Sequence, residues 1–406
     1  MGMVHFDDLK AGMILASDLK ASDGRLLFTA GTELQDRHLT LLERVGIKQA
    51  DVEAEQLELD EKTLQEIEDY VRDFYLYVNP DFEPAIKMFR ISLELTAKRV
   101  AGGWELPDIN QRRATNVEHM EDLFSTGMGT PETIVKHETE LTSFPDIFFR
   151  IKEVLEDDSA SADTIAQVVS TDMSLSAKLL KLVNSPLYGF TQTIDSISRS
   201  VALVGAKELS TLALGISAIN YFKDIPSELV DMKTFWRHSI TCGIFAKILA
   251  GTQTGLSPER FFIAGLLHDV GRLIMFKKLP YASTEAMLFA RENSIPLVEA
   301  EHSIMGFNHT DISAPLLQSW KFPEGLSCMI NYHHMPMEYP NPLEPAIIHI
   351  ADNLTNAVDI AMGGMYVVPG VDEEAWSLLG IKADTTLGEA VEEYHKQVDV
   401  IMEAFF

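Results

Sequence analysis

Residues 165–184 read IAQVVSTDMSLSAKLLKLVN. Their apolar positions recur at i, i+3 and i+4, the repeat that lines one face of an α-helix, and they lack the period-two alternation of a half-buried strand. The same spacing runs from about residue 135 onward with little β signature. A mainly all-α chain is therefore predicted, with residues 131–406 as one helical domain. Helix starts are legible inside it: Ser257 stands as an N-cap, Pro258 at the first helical position and Glu259 in the first turn. That helix is expected to run about three turns, to His268 and Asp269. NSPLYG (184–189) reads as a helix end and turn, with Pro186 ending regular hydrogen bonding and Gly189 taking a permissive backbone angle. Trp236, Trp320 and Phe322 read as core residues.

The first 55 residues differ. MILASDL (13–19) and RLLFTAG (25–31) are short alternating stretches broken by SDG (22–24) and AG, as in small hairpins, before LQDRHLTLLERVGI (34–47) returns to helical spacing. We expect a small β-containing module over 1–55. Residues 56–130 read as an acidic helical connector interrupted at NPDFEP (79–84) and AGGWELPD (101–108). Its acidic surface reads as a solvated face, while FYLYV (74–78) leaves open pairing with a second copy, a homodimer. There is no internal repeat and no low-complexity segment.

Composition narrows the function classes. A 406-residue chain with 46% hydrophobic and 23% charged residues is an ordinary globular protein of two or three domains. Its two cysteines, Cys242 and Cys328, exclude a disulfide framework and fit a reducing compartment. No apolar run reaches membrane-spanning length and MGMVHFDDLK has no signal layout, so a cytoplasmic location and no membrane association are expected. A net charge of −28 argues against nucleic-acid partners, whose binding rests on neutralising phosphates with Lys and Arg. That charge is uneven: residues 51–85 hold 12 acids against 2 bases and 371–406 hold 9 against 2, whereas 231–360 hold 13 against 9. The near-neutral segment, with bound divalent metal, could take an anionic ligand.

It is there that the chemistry concentrates. GLLHDVGRL (265–273) sets His268 beside Asp269 in an apolar run, and burying such a pair is costly unless something compensates it, a cation being one answer. Seven of the twelve histidines (238, 268, 302, 309, 333, 334 and 349) fall within 112 residues. Any one alone reads more readily as a surface or satisfied core residue. Together, imidazoles and carboxylates suit zinc, iron and related metals, and a carboxylate can bridge two ions.

The order WRHSITC (236–242), LLHDVG (266–271), HTDISAPLLQSW (309–320), INYHHMP (330–336), IIHIADNLTNA (347–357) resembles the HD phosphohydrolase superfamily. His238, His268, Asp269 and Asp352 match its four positions. His309, His333 and His334 resemble the HD-GYP branch, where such residues supply a second metal with the central aspartate bridging. Upstream, DMSLSAKLLKLVNSPLYG and IDSISRSVALVGAKELSTLAL resemble the HDOD family, the HD-related output domain of bacterial signalling proteins, over about 140–345. LKAGMILASDL and GRLLFTAGTEL are similar to a small module found ahead of HD-GYP and related domains.

The resemblance implies a helical HDOD domain whose HD-type half spans about 230–360, with two divalent ions, Fe, Mn or Zn. His238, His268, Asp269 and Asp352 would serve one ion, and His309, His333, His334 with bridging Asp269 the other. Three departures stand out. HHMPMEYPNP lacks the GYP signature, Arg272 replaces a lysine, and Thr234 stands where three-metal members carry glutamate, which argues against a trinuclear site. Asp269 and Arg272 are the expected catalytic pair, Arg272 facing phosphoryl charge. His349, three before Asp352, either orients that aspartate or packs, and His302 is a rival to His309. Two functions remain open: a signalling output module acting through protein partners, or a metal-dependent phosphodiesterase or phosphohydrolase acting on a cyclic dinucleotide or other nucleotide.

Overall fold

The computed structural model describes residues 2–5, 9–13, 15, 18–21, 26–45, 47, 49–52, 59–107, 130–140, 146–156, 161–222, 225, 229–320, 322–360 and 367–405. The SDG turn at 22–24 and residues 108–129 of the connector lie outside them. The chain divides into two units, Met1–Ile67 with Thr96–Leu106, and Glu68–Leu95 with Pro107–Phe406.

In the first unit, β1 (Gly2–His5) pairs antiparallel with β4 (Gln49–Val52), and β2 (Leu19–Lys20) pairs antiparallel with β3 (Leu26–Phe28). Helix α1 (Asp36–Val45) lies between β3 and β4 in the chain, and Leu9, Leu15, Leu34, Leu42 and Ala50 form a small core. Helices α2 (Glu61–Arg72) and α3 (Glu83–Ala101) follow. Residues 68–95 of this supposed connector belong to the helical unit, where Met88 and Ile91 join the core and Ser92 Oγ donates to the Ala357 carbonyl at 2.6 Å. Of FYLYV, Phe74 is buried while Leu76 and Tyr77 are exposed.

The rest of the second unit is helical, as the spacing predicts. It comprises α4 (Pro131–Glu140), α5 (Asp146–Glu156), α6 (Ala162–Ser170), α7 (Met173–Val183), α8 (Ile197–Val204), α9 (Ala206–Tyr221), α10 (Met232–Gly251) and α11 (Pro258–Leu267). Then come α12 (Val270–Lys278), α13 (Pro280–Asn293), α14 (Leu297–Met305), α15 (His309–Ser319), α16 (Glu324–Asn331), α17 (Leu343–Asp359), α18 (Glu373–Leu379) and α19 (Ala383–Phe405). Among the described residues, no single helix is long and apolar enough to cross a membrane.

Local chemistry places the boundaries. The opening stretch splits into α6 and α7 because Asp172 caps a new helix, its side chain accepting from Leu175 N at 2.9 Å. Within NSPLYG, Asn184 closes α7 and grips the returning chain, donating to Ile194 O at 2.8 Å and accepting from Ile194 N at 2.7 Å. Gly189 has φ +61°. Trp236, Trp320 and Phe322 are buried in the core.

One close approach sets the site's geometry. A Cβ on Gly265 would stand 2.6 Å from Gly243 Cα, so α10 and α11 meet backbone to backbone, which only two glycines allow. His238, on α10, and His268, just past the end of α11, thereby come within 5.3 Å ring to ring.

Candidate metal centre

The helix that starts at Ser257 is shorter than its sequence suggests. It ends at Leu267, and α12 begins at Val270, so His268 and Asp269 occupy the break between two helices. The break has a packing cause at the next glycine. A Cβ on Gly271 would lie 2.0 Å from the carbonyl oxygen of His309, and Gly271 N donates to Ser313 Oγ at 3.1 Å. Glycine there lets the start of α12 press onto the start of α15, which brings His309 against Asp269.

The structure brings all seven expected ligands together in three overlapping sets: His309, His333 and His334; His238, His268 and Asp269; His268, His333 and Asp352. His238 comes from α10, His309 from the start of α15, Asp352 from α17, and the paired histidines follow α16. His302 is exposed, whereas His309 is fully buried. His349 does not touch Asp352 by a hydrogen bond. It donates from Nδ1 to the His333 carbonyl (2.8 Å) and accepts at Nε2 from Asp372 N (3.0 Å), holding the paired-histidine turn.

Hydrogen bonds set the tautomers. The Nδ1 atoms of His268 and His333 face the carbonyl oxygens of Gly265 and Ile330, both at 2.7 Å, and a carbonyl only accepts. His238 Nδ1 faces Asp359 Oδ2 at 2.7 Å and His309 Nδ1 faces Glu301 Oε2 at 2.6 Å. Each imidazole thus donates outward and turns Nε2 inward, the arrangement in which an outer acceptor raises the basicity of a metal-binding nitrogen. The inward contacts are His238 Nε2 to Asp352 Oδ1 at 3.2 Å, and His268 Nε2 to Asp352 Oδ1 at 3.6 Å and to Asp269 Oδ2 at 3.4 Å. On the other side, His309 Nε2 stands 3.2 Å from Asp269 Oδ1, 3.2 Å from His334 Nε2 and 3.5 Å from His333 Nε2.

These residues fit a metal on three counts. Ligands about 2.0–2.1 Å from one tetrahedral ion stand roughly 3.3 Å apart, close to these gaps. His268 Nε2 and Asp269 Oδ1 are buried with no hydrogen-bond partner, because an Nε2 lone pair has no proton to give the carboxylate beside it. The charges also leave a deficit. Four buried carboxylates (Asp269, Glu301, Asp352 and Asp359) outnumber the buried guanidinium of Arg272 and the imidazole of His238. A buried surplus of negative charge calls for further cations.

Ionisation follows from these neighbours. Burial opposes charge on His238, yet its bonds to Asp352 and Asp359 push its pKa up to about 10. Burial pushes His333 down to about 3, helped by His268 and His309, and holds His268, His334 and His349 down as well. Burial would raise Asp269, but Arg272 and the surrounding histidines hold it well below the usual carboxylate range. Asp352 and Glu301 are likewise lowered against burial, Asp352 first by its bond from His238 and Glu301 first by Arg272.

Arg272 lies inside this network. It bonds Asp269 Oδ2 through Nη1 and Glu301 Oε1 through Nε at 2.7 Å, so its fork is engaged by two carboxylates. Glu301 and Asp359 escaped the sequence reading. Asp359 lies seven residues after Asp352, two turns along the same helix face, a spacing that could have revealed it. Glu301 reaches His309 across the turn at Gly306, with no local spacing to betray it.

A family model for the HDOD domain matches residues 141–336. An uncharacterised protein of Treponema pallidum (strain Nichols) is 27% identical over 215 residues, 52% of this chain; the chain spans 41% of that relative's length. Two crystal structures share the fold. One is an HDOD domain protein of unknown function from Geobacter sulfurreducens, with 24% identity, TM-score 0.51 and coverage of 68% of this chain and 97% of that one. The other is a candidate phosphohydrolase from Shewanella amazonensis SB2B, with 21% identity, TM-score 0.54 and coverage of 69% and 100%.

Proposed function

We propose that this protein, which belongs to the HDOD family through residues 141–336, is a signal-transduction protein whose HD-type half holds two divalent cations. One observation carries the reading. His268 Nε2 and Asp269 Oδ1 are buried without hydrogen-bond partners and are ringed by five further metal-binding side chains. His238, His268 and Asp352 with Asp269 Oδ2 would hold one ion, and His309, His333 and His334 with Asp269 Oδ1 the other. Arg272 and Glu301 neutralise and orient the residues around them, and signalling proteins are the proposed partners.

Phosphoester hydrolysis, on a cyclic dinucleotide or other nucleotide, is the second reading. It is favoured because Asp269 turns one oxygen toward each set of histidines, the placement of a bridging carboxylate. Two bound divalent ions would supply Lewis acidity and water activation near neutral pH. The chain contributes a buried, negatively charged cradle into which His238, His268, His309 and His333 already turn Nε2.

Elemental analysis of protein purified without chelators should find close to two equivalents of iron, manganese or zinc, and Asp269→Ala should lose most of it. Metal-free wild-type protein from such a preparation refutes the metal centre. Metal-loaded wild type should also cleave bis(p-nitrophenyl) phosphate, and a rate that survives His268→Ala would remove the hydrolytic reading.

A further inference from the structure

Glu301 belongs to none of the three clustered side-chain sets, yet it is bonded to His309, a member of one of them. It lies on α14, 2% exposed. Its Oε2 accepts from both the Nδ1 and the backbone N of His309, at 2.6 and 3.2 Å, and its Oε1 accepts from Arg272 Nε at 2.7 Å. A buried carboxylate persists only when its charge is met by good donors, and three converge here. An ionised carboxylate can only accept, so the His309 proton sits on Nδ1 and the Nε2 lone pair faces Asp269 Oδ1, His333 and His334. His238 and His268 are held by other groups, the Asp359 carboxylate and the Gly265 carbonyl, and Asp352 by Asn356.

We propose that Glu301 is the positioning residue for one metal position only, that of His309, His333, His334 and Asp269 Oδ1, which it forms by fixing the tautomer and rotation of His309. This rests on the metal-centre reading above. It makes the two positions separable: the His238, His268 and Asp352 position stands without Glu301, and the other does not.

The test is a titration of metal-free full-length protein with Mn²⁺, followed by equilibrium dialysis and electron paramagnetic resonance. Wild type should take two equivalents and show the signal of an exchange-coupled pair. Glu301→Gln, nearly isosteric, should keep one equivalent at wild-type affinity, bind the second about 10–100-fold more weakly and lose the pair signal. Glu299→Gln, at an exposed carboxylate on the same helix, is the control and should retain both ions.

Three results would overturn the proposal: a coupled pair in Glu301→Gln, loss of both ions together in that variant, or loss of the second ion in Glu299→Gln. Should Glu301→Gln fail to fold, nitrogen NMR of the histidines in metal-free wild type decides. A His309 ring protonated on Nδ1, with an Nε2 lone pair, supports the assignment, and a ring protonated only on Nε2 refutes it. Wild-type protein that binds no Mn²⁺ at all would instead defeat the metal centre itself, a distinct outcome.

Discussion

Gly271→Ala tests how closely packing and site are joined. The added Cβ would stand 2.0 Å from the His309 carbonyl oxygen, while an ordinary carbon–oxygen contact is ~3.4 Å, so α12 and α15 must part by ~1.4 Å. Overpacking of this kind costs ~1–3 kcal/mol, and a contact with backbone lies at the upper end because no side chain can swing aside. Losing the 3.1 Å bond from Gly271 N to Ser313 Oγ adds about 1 kcal/mol. We expect ~4 kcal/mol in all, a fall in Tm of at most about 8–16 °C, taking the ~2–4 °C per kcal/mol usual for domains of 150–250 residues as the upper bound for this larger unit. Because His309 moves with its carbonyl, metal binding at its position should weaken as well. The assays are thermal unfolding of the chelated protein by circular dichroism and Mn²⁺ titration. Gly388→Ala is the control: it lies inside α19 with nothing within 4 Å of the new Cβ, so it should gain ~0.5–1 kcal/mol from helix propensity. Gly271→Ala protein with wild-type Tm and wild-type metal uptake would refute the claim that this close approach builds the site.

Two further outcomes follow from the electrostatics. His238 has its folded pKa raised to about 10 from 6.5, so in chelated protein its contribution to stability is full below about pH 6.5 and is lost as pH rises through 10. Asp269, Asp352 and Glu301 are lowered, so theirs is full above the ordinary carboxylate range and is lost as pH falls; urea unfolding should show declining stability from pH 7 to 10, and a rise there would contradict the assignment. Asp359→Asn removes the charged acceptor behind His238 Nδ1 and should weaken the ion held by His238 about 10–100-fold in a Mn²⁺ titration, with unchanged affinity as the contrary result.

Much of the fold is written locally. The helices of 161–222 follow from apolar spacing, and their starts from caps such as Ser161 and Asp172, because a helix bonds residues four apart and these caps bond residues three apart. That His238, His268, Asp269, His309, His333, His334 and Asp352 gather was legible too, but through resemblance and order along the chain; spacing alone leaves each histidine a plain residue.

What the sequence determined by itself was therefore the helical class, the N-terminal hairpin content, and the residue types gathered between 238 and 352. Only the tertiary structure decided that His268 and Asp269 sit in a helix break, that Arg272 turns onto Asp269 and Glu301, and that Glu301 and Asp359 orient His309 and His238. The reason is physical. Several of these contacts join residues from eight to more than a hundred positions apart, as helices pack closely enough to exclude water and make it costly for a buried donor or acceptor to lack a partner across the interface.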